Sequence, residues 1–368
     1  MSEYPITGRG VLLRIAMAAV FFAAAGAGAF LAFGPVSADR SPREISANAE
    51  PIIEAKKDRL FMIAVGDMML DRNVLSLTMK DGKYDYPFRK IDGYLDRADI
   101  RIGNLEGPVT GNTSEAIKTN GMRFTFPTDY LSALAERFDV LLIGNNHALD
   151  FGEEGLRETK NNLSRKGITF FGDYLNRGDN NSAVIKKNGI KIGFVGYHSL
   201  VGQGYANVIL DISKLDALCD LVIAVPHWGD EYEMMQNAAQ EKAAREMIDA
   251  GADVVIGGHP HVTQPISAYK GKAIFWSLGN FVFDQYFSEE TMKSISVTLD
   301  IERSVAGEVG VKYGVIPIEI GRDSQPEIMD DGAAKEFLND LALRSDVSEA
   351  GREDIRSGKF NPLSAEKD

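Results

Sequence analysis

Residues 252–261 read Ala-Asp-Val-Val-Ile-Gly-Gly-His-Pro-His, and this stretch decides the fold that we expect for the chain. Its first half, residues 252–256, is rich in β-branched and small apolar side chains, which is typical of a buried parallel strand. The two glycines that follow allow a sharp turn as the chain leaves the sheet. His259 and His261 then stand at the carboxyl end of the strand, where open α/β sheets bind ligands. Two neutral imidazoles can bind zinc, manganese or iron there, although the pair alone is equally typical of a surface loop.

The same pattern, an apolar run that ends in a polar motif, occurs four more times before this stretch. It is found at residues 60–65 before 66–67, 99–102 before 103–106, 138–143 before 144–147 and 221–225 before 226–229. Amphipathic stretches at residues 128–137, 153–166 and 237–250 predict crossover helices between strands. Because parallel βαβ units bring their strand ends to one side, we expect all five polar motifs at one sheet edge.

Later segments extend this α/β pattern. Residues 273–284 predict another buried strand and a tight loop. Residues 294–299 and 311–320 alternate or run apolar, and we expect them to be antiparallel strands that close the second sheet.

Residue types that bind metals are concentrated at the predicted strand ends. Four of the five histidines in the chain fall there, with a carboxylate or amide from three of the motifs: His147, His227, His259, His261, Asp67, Glu106 and Asn146. Three or more converging nitrogen and oxygen donors suit one or two divalent ions such as manganese, iron or zinc. The fifth histidine, His198, has no second ligand type beside it, and we expect it to have a structural or supporting role.

Composition limits the classes of partner. The 368 residues carry a formal net charge of −13, which argues against binding of nucleic acid. An anionic ligand therefore needs a local feature such as a metal. Cys219 is the single cysteine, so no internal disulfide forms, and its apolar neighbours predict core packing.

The amino-terminal region predicts a membrane segment. Arg9 and Arg14 precede residues 15–33, which carry no charge and are long enough to cross a bilayer. Arginines before a span stay in the cytoplasm, so the remainder lies in the periplasm or outside the cell. We favour a single-pass anchor in the cell membrane, with residues 1–36 as tip and span. Removal of the segment as a signal peptide near residues 36–38 stays open.

The rest of the chain divides by composition. Residues 37–58 are polar and contain two prolines, which predicts a flexible linker. Residues 59–325 carry the strand and helix pattern of a folded domain. The apolar signal fades in residues 326–368, and we expect a helical or partly disordered tail, with one amphipathic helix at residues 333–343.

Six motifs in this order make the chain resemble the CapA family, which is linked to poly-γ-glutamate capsule synthesis and is similar to the calcineurin-like metallophosphoesterases. The motifs are Gly66-Asp67, Gly103-Asn104-Leu105-Glu106, Asn145-Asn146-His147-Ala148-Leu149-Asp150, His227-Trp228-Gly229-Asp230-Glu231-Tyr232, Gly258-His259-Pro260-His261 and Ser277-Leu278-Gly279-Asn280-Phe281. The resemblance implies an α/β sandwich of the metallophosphoesterase type, in which helices flank two central sheets.

The resemblance also implies roles for the site residues. Asp67 and His261 bind one ion, a second set binds the other ion, Glu106 bridges the two ions, and His147 is the general acid. The second set comprises Asn146, His227 and His259. Two positions depart from the phosphoesterase pattern: Met69 stands where Asp-x-His has its histidine, and Glu106 replaces an aspartate.

Three further residues have two interpretations each. Arg72 can pair with a phosphate or carboxylate of the substrate, and we include it with His147 as a catalytic residue, or it forms a surface salt bridge. Glu231 and Tyr232 line the substrate groove, or they are helix-start residues with a structural role.

The sequence is compatible with two functions. The first is a membrane-anchored, metal-dependent hydrolase or transferase that acts on a capsule polymer or another polyanionic substrate, together with other membrane-bound capsule synthesis proteins. The second is a non-catalytic factor that keeps the pocket in order to bind polymer during assembly or export.

Overall fold

The structure is a computed structural model that describes residues 58–178 and 180–366. Within this part of the chain, no helix is long and apolar enough to span a bilayer. The predicted span at residues 15–33, the alternative cleavage site and the linker up to residue 57 lie outside the described residues.

Strands make up the centre of the described chain. They are β1 (Arg59–Met68), β2 (Ile100–Leu105), β3 (Val109–Thr110), β4 (Phe126–Pro127), β5 (Val140–Leu142), β6 (Thr169–Phe171), β7 (Ser182–Lys187), β8 (Ile190–His198), β9 (Leu221–His227), β10 (Val254–Ile256), β11 (Ile266–Tyr269), β12 (Lys272–Phe275), β13 (Asn280–Val282), β14 (Lys293–Arg303), β15 (Val309–Ile320), β16 (Pro326–Ile328) and β17 (Lys359–Phe360).

Helices follow many of these strands. They are α1 (Arg72–Asp81), α2 (Asp92–Leu95), α3 (Ala116–Thr119), α4 (Tyr130–Arg137), α5 (Gly152–Arg165), α6 (Tyr205–Asp216), α7 (Ala238–Asp249), α8 (Asp331–Arg344), α9 (Glu349–Arg356) and α10 (Pro362–Ala365). Several begin at side-chain caps. At α7, for example, the Asn237 side chain accepts from the backbone N–H of Gln240, and the Gln240 side chain accepts from the backbone N–H of Asn237.

Two large sheets organise the fold. The first has the order β16-β15-β14-β1-β2-β5-β6, with β13 beside β1 and β17 beside β15. Its β1, β2, β5 and β6 are parallel, whereas β14 is antiparallel to β1. The second sheet has the order β11-β12-β10-β9-β8-β7. Its four central strands are parallel, and the edge strands β7 and β11 are antiparallel to their neighbours.

Alternation along β1 explains how the layers pack. Leu60, Met62 and Ala64 belong to a core that the two sheets share, whereas Ile63 and Val65 belong to a second core formed with α1, α4 and α5. Successive side chains of a strand point to opposite faces, so β1 contributes to both cores. A third core joins the outer face of the second sheet to α6 and α7. The predicted arrangement of two central sheets with flanking helices is confirmed for the described residues.

Strand pairing differs from the sequence prediction in two respects. The five strands with polar ends divide between the sheets, because β1, β2 and β5 lie in the first sheet and β9 and β10 lie in the second. The predicted strands at residues 294–299 and 311–320 are present as β14 and β15, but their assignment to the second sheet is wrong. β14 pairs with β1, so both strands extend the first sheet.

The described part of the carboxyl-terminal segment packs onto this framework. The predicted helix at residues 333–343 is present as α8. Farther along, β17 pairs with β15, and the side chains of Ile355, Phe360 and Ala365 are buried in the core between the sheets. Residues 344–366 therefore contribute to the main core.

Candidate metal centre

The carboxyl ends of strands from both sheets meet at one place. The first sheet brings Asp67 at the end of β1 and Glu106 directly after β2. The second sheet brings His227 at the end of β9, and the loop after β10 brings His259 and His261. All five side chains are buried, with exposures of 4% or less. The motifs converge on one site, but the prediction of a single sheet edge is wrong, because strands of both sheets contribute.

Asp67 connects the two edges. A register shift interrupts the pairing of β1 between Asp67 and Met68, and such bulges redirect side chains next to active sites. The Oδ1 atom of Asp67 accepts from Nδ2 of Asn104 at 2.8 Å, and Oδ2 accepts from the backbone N–H of His259 at 3.0 Å. A Cβ at Gly258 would lie 2.8 Å from Oδ1, so a larger residue there would displace the carboxylate. Burial raises the pKa of Asp67 to about 6.

Glu106 is the least satisfied group of the site. Both of its carboxylate oxygens are buried and have no hydrogen-bond partner among the described residues. Its Oε1 lies 3.6 Å from Nε2 of His261 and 3.9 Å from Nε2 of His147. Burial, followed by the charge of Asp67, raises the pKa of Glu106 well above its ordinary value. A bound cation would offset this desolvation.

His259 and His261 are held in a strained loop. Their φ angles are 96° and 59°, in the left-handed region that residues other than glycine rarely adopt, and such strain is found at functional sites. Nδ1 of His259 is buried and has no partner within the described chain. Burial lowers the pKa of His259 to about 4 and that of His261 to about 3. Both imidazoles are therefore neutral at physiological pH, the form that binds metals.

Asn280 fixes the ring of His261. Its Nδ2 donates to the backbone carbonyl of His261, to the carbonyl of Thr291 and to Oε1 of Gln285. The Oδ1 atom of Asn280 therefore faces Nδ1 of His261, at 3.0 Å, and accepts its hydrogen. Nε2 of His261, on the side of Glu106, keeps its lone pair. A partner of this kind orients metal-binding histidines.

A network of amides holds His227. Its Nε2 lies 2.8 Å from Oδ1 of Asn146, and its Nδ1 lies 3.3 Å from Nδ2 of Asn104. Asn104 is itself oriented by Asn145, whose Nδ2 donates to Oδ1 of Asn104 at 2.9 Å. Burial is the main reason that the pKa of His227 falls well below its ordinary value. The ring centroids of His227 and His259 are 4.7 Å apart, so this group adjoins the His259 loop.

The donor set fits a divalent cation. Ligand atoms of Glu106, His259 and His261 all lie within 4.8 Å of one another. Unpartnered buried oxygens and a buried imidazole nitrogen at the same place are the arrangement expected for metal ligands, because such atoms are otherwise costly to bury. Asp67 and the pair of Asn146 and His227 adjoin this group, so the structure brings together all six ligand residues that the sequence singles out.

His147 lies beside the ligands and has a separate partner. Its Nδ1 is 2.8 Å from Oδ2 of Asp150, and its ring packs on Phe124 with centroids 4.3 Å apart. Asp150 is held in turn by the backbone N–H of Phe124, at 2.7 Å. The imidazole is thus oriented with Nε2 toward Glu106. Asp150 is part of the quoted sequence motif, but its pairing with His147 emerges only from the structure.

Arg72 forms a buried ion pair with Asp284, whose side chain is 3% exposed. The sequence left a surface salt bridge open as the alternative for this residue, and the pair is instead almost fully enclosed.

Glu231 and Tyr232 lie on an exposed loop before α7, and their interpretation as helix-start residues is wrong because the Asn237 cap starts that helix. The ring of Tyr232 is 6.1 Å from that of His261, which places the loop at the mouth of the site.

His198 is a neighbour of the site. It pairs in register with His227 across β8 and β9, and their ring centroids are 6.1 Å apart. Its Nδ1 lies 3.1 Å from the carbonyl oxygen of Tyr174, and burial lowers its pKa.

Fold and site together define an α/β protein with two stacked sheets and a buried candidate metal centre where their strand ends meet. The chain belongs to the family described as bacterial capsule synthesis protein PGA_cap, which matches residues 61–285. This match confirms the resemblance to the CapA family that the six motifs indicate.

Relatives agree with this assignment. The chain is 32% identical over 273 residues to the PGA biosynthesis protein CapA of Bacillus subtilis (strain 168), covering 70% of each chain. It is 33% identical over 259 residues to the capsule biosynthesis protein CapA of Bacillus anthracis, covering 64% of this chain and 62% of that relative. Among solved structures, a hypothetical protein from Thermus thermophilus is similar over 70% of this chain and 99% of its own, with 14% identity and a TM-score of 0.45.

Proposed function

We propose that this chain is a metal-dependent hydrolase or transferase in the biosynthesis of a bacterial capsule polymer of the poly-γ-glutamate type. The observation that carries the proposal is Glu106, a fully buried carboxylate with two unpartnered oxygens beside two neutral histidines. The names of the two CapA relatives support the connection with capsule synthesis. One or two ions of manganese, iron or zinc suit this mixed set of oxygen and nitrogen donors better than calcium.

Each side chain has a part in the proposed reaction. Asp67, Glu106, Asn146, His227, His259 and His261 would hold the cation. A divalent ion at such a site polarises a phosphoryl or carbonyl oxygen and promotes attack by water near neutral pH. His147 gives a proton from Nε2 to the oxygen or nitrogen that leaves, while Asp150 orients the ring and stabilises its positive charge.

The test uses the full chain purified in detergent. We expect one to two equivalents of bound metal by elemental mass spectrometry after exposure to manganese, iron or zinc. We also expect metal-dependent hydrolysis of either a generic phosphodiester or poly-γ-glutamate. A chain that stays free of all three metals would remove the basis for the proposed function.

One observation favours the alternative of a polymer-binding factor without catalysis. Met69, which stands where phosphoesterases have a histidine ligand, is fully buried in the core beneath the helices, and its sulfur accepts from the backbone N–H of Asp71 at 3.0 Å. One nitrogen ligand is therefore replaced by a core residue. Metal binding without turnover on either substrate, combined with retention of poly-γ-glutamate, would support this alternative.

We also propose a location for the domain. Arg9 and Arg14 before the apolar residues 15–33 support a single-pass protein with its folded domain in the periplasm or outside the cell, near other membrane-bound capsule synthesis proteins. Cell fractionation tests this arrangement. Mature protein that is recovered in the soluble fraction and begins near residue 39 would show that the segment is removed.

A further inference from the structure

Arg72 lies beside the candidate metal centre in an unusual backbone conformation. It is the first residue of α1 and has a φ of 50°, in the left-handed region. Residues other than glycine keep such a conformation only where the surroundings enforce it, and these positions cluster at binding sites. The side chain is 8% exposed, so the strained backbone places a guanidinium group in a nearly closed environment.

The guanidinium group of Arg72 has donors to spare. Nη2 pairs with Oδ1 of Asp284. Nη1 has the sulfur of Met122 as its neighbour at 3.5 Å, and a thioether is a weak acceptor. Nε is buried and has no partner within the described residues. A buried arginine normally satisfies its five N–H groups, because an unmet hydrogen bond to a charged group is costly.

Two aromatic rings hold this group between the functional histidines. The guanidinium carbon lies 5.2 Å from the centre of the Phe124 ring, which packs against His147. It lies 5.6 Å from the centre of the Phe283 ring, whose centroid is 4.9 Å from that of His261. A single aromatic ring therefore separates Arg72 from His147, the proposed proton donor, and another separates it from His261, a proposed metal ligand.

The positive charge of Arg72 acts on ionisable groups inside the site. Burial is the main cause of the shifted pKa values of Glu106 and His261, and the positive charge of Arg72 also contributes to both. The other charges that act on Glu106 are the carboxylates of Asp67, Glu231 and Asp150. Arg72 is thus a fixed cation in surroundings that otherwise carry negative charge.

We propose that Arg72 binds an anionic oxygen of the substrate beside the metal centre, through Nη1. This inference rests on the proposed function and adds a substrate class to it, namely a molecule with an oxyanion next to the bond that is cleaved. A phosphoryl oxygen and a glutamyl carboxylate both have this chemistry, since either accepts a charge-assisted hydrogen bond from a guanidinium N–H.

Met122 gives the oxyanion access to Nη1. Its side chain is 51% exposed and flexible, so it can leave the guanidinium without opening the core. When an oxyanion replaces the sulfur, Nη1 of Arg72 gains a charged acceptor in place of a weak one. Asp284 keeps Nη2 in place meanwhile, because its second oxygen accepts from the backbone N–H of Asn73 at 3.0 Å.

The experiment measures anion binding, without relying on turnover. The full chain in detergent is loaded with manganese, and isothermal titration calorimetry follows binding of inorganic phosphate and, separately, of free glutamate. We expect wild type to bind at least one of them, and the tighter probe identifies the phosphoryl or the carboxylate source. We expect Arg72→Met to weaken that binding by about tenfold or more with unchanged metal content, because charge-assisted hydrogen bonds are lost.

Two further variants keep the result interpretable. Arg89→Met is the matched control, because Arg89 also pairs with aspartates and lies 5.7 Å from the centre of a tyrosine ring, but has no contact with the site. We expect its anion binding to equal that of wild type. If Arg72→Met does not fold, the double variant Arg72→Met, Asp284→Asn replaces it, because removing both charges leaves no buried carboxylate unpaired.

The outcomes separate this inference from the proposed function. A metal-loaded wild type that binds neither probe, or an Arg72→Met variant that binds the probe as tightly as wild type, overturns the role of Arg72 while leaving the metal site intact. A wild type that takes up no metal overturns the proposed function, and the inference falls with it. Equal weakening in Arg72→Met and Arg89→Met also overturns it, because the effect would then come from net charge.

Discussion

The ligand cluster and the rim pairs of the site differ in how their polar atoms are satisfied. In the ligand cluster, which comprises Asp67, Glu106, His259 and His261, both oxygens of Glu106 and one nitrogen of His259 are buried without a hydrogen-bond partner in the described chain. In the rim pairs, His147 with Asp150 and Arg72 with Asp284, each side chain has a charged or ionisable partner, although Nε of Arg72 is also buried without a hydrogen-bond partner in the described chain. The ligand cluster therefore indicates a cation, whereas the rim pairs are arranged in advance to act on a bound molecule.

The largest expected effect is the loss of a ligand. We expect His259→Ala to bind metal so weakly that little remains after dialysis, and to lose turnover as well. Changes to residues that only orient a ligand already cost about 10–100-fold in metal affinity, and removal of a ligand should exceed this. Elemental mass spectrometry after dialysis measures the change.

His198→Ala is the matched control for that variant, because His198 is also a buried histidine at a strand end of the same sheet. We expect it to retain metal. If both variants lose metal to the same extent, the contrast between ligands and neighbours disappears.

The rim pairs should show the opposite behaviour. We expect His147→Ala to keep its metal but to turn over substrate about 10²–10⁴-fold more slowly, the range typical of a lost general acid. Metal content and rate are measured on the same preparation. A variant that loses metal as completely as His259→Ala would make His147 a ligand, and the proton would then come from another group.

A smaller effect is expected at Asn280, which contacts the ligand cluster without belonging to it. Asn280→Ala removes the acceptor that orients His261, so we expect metal affinity to fall by about 10–100-fold. Competition with a fluorescent chelator gives the affinity. Asn181→Ala is the control, since Asn181 is equally buried but lies directly before β7, away from the ligand cluster. Equal losses in both would indicate general destabilisation.

The smallest expected effect concerns pH. Burial raises the pKa of Asp67 to about 6 and lowers that of His261 to about 3. Near pH 6 the imidazole of His261 is therefore neutral, whereas the carboxyl group of Asp67 is still partly protonated. Metal binding must release those protons, and affinity should therefore rise with pH through about 6, by about tenfold per unit for each proton released.

Manganese titrations at several pH values measure this slope, and Asp67→Asn should reduce it. A manganese affinity that is constant from about pH 5 to 7 would contradict the assignment of Asp67 as the titrating group, because metal binding would then release no proton from its carboxyl group.

The sequence located the candidate ligands better than the side chains that support them. Each candidate ligand follows an apolar run directly, so the local pattern was enough to place it at a strand end. Asp150 and Asn280 were missed as partners because asparagine and aspartate are common in turns and nothing local shows which side chain they face. The Arg72 pair joins residues 212 positions apart, and no periodicity reports such a contact.

The sequence could not predict which sheet each strand joins, for a related reason. The alternation in residues 294–299 identifies a strand, but it does not say which partner the strand chooses. The carboxyl-terminal segment was underestimated because a few apolar residues, among them Ile355 and Phe360, are enough to fill the space left at the core. Their spacing in a polar stretch gave little signal.

The pairing of β1 with β14 also determines when the domain can finish folding. Arg59 lies opposite Glu302, so β1, the first strand of the described residues, receives this neighbour only after more than two hundred further residues have been made. Until then one edge of an almost entirely apolar strand has no partner, which makes the growing chain prone to aggregation. The first sheet therefore cannot be completed before residues 293–303 are available to pair with β1.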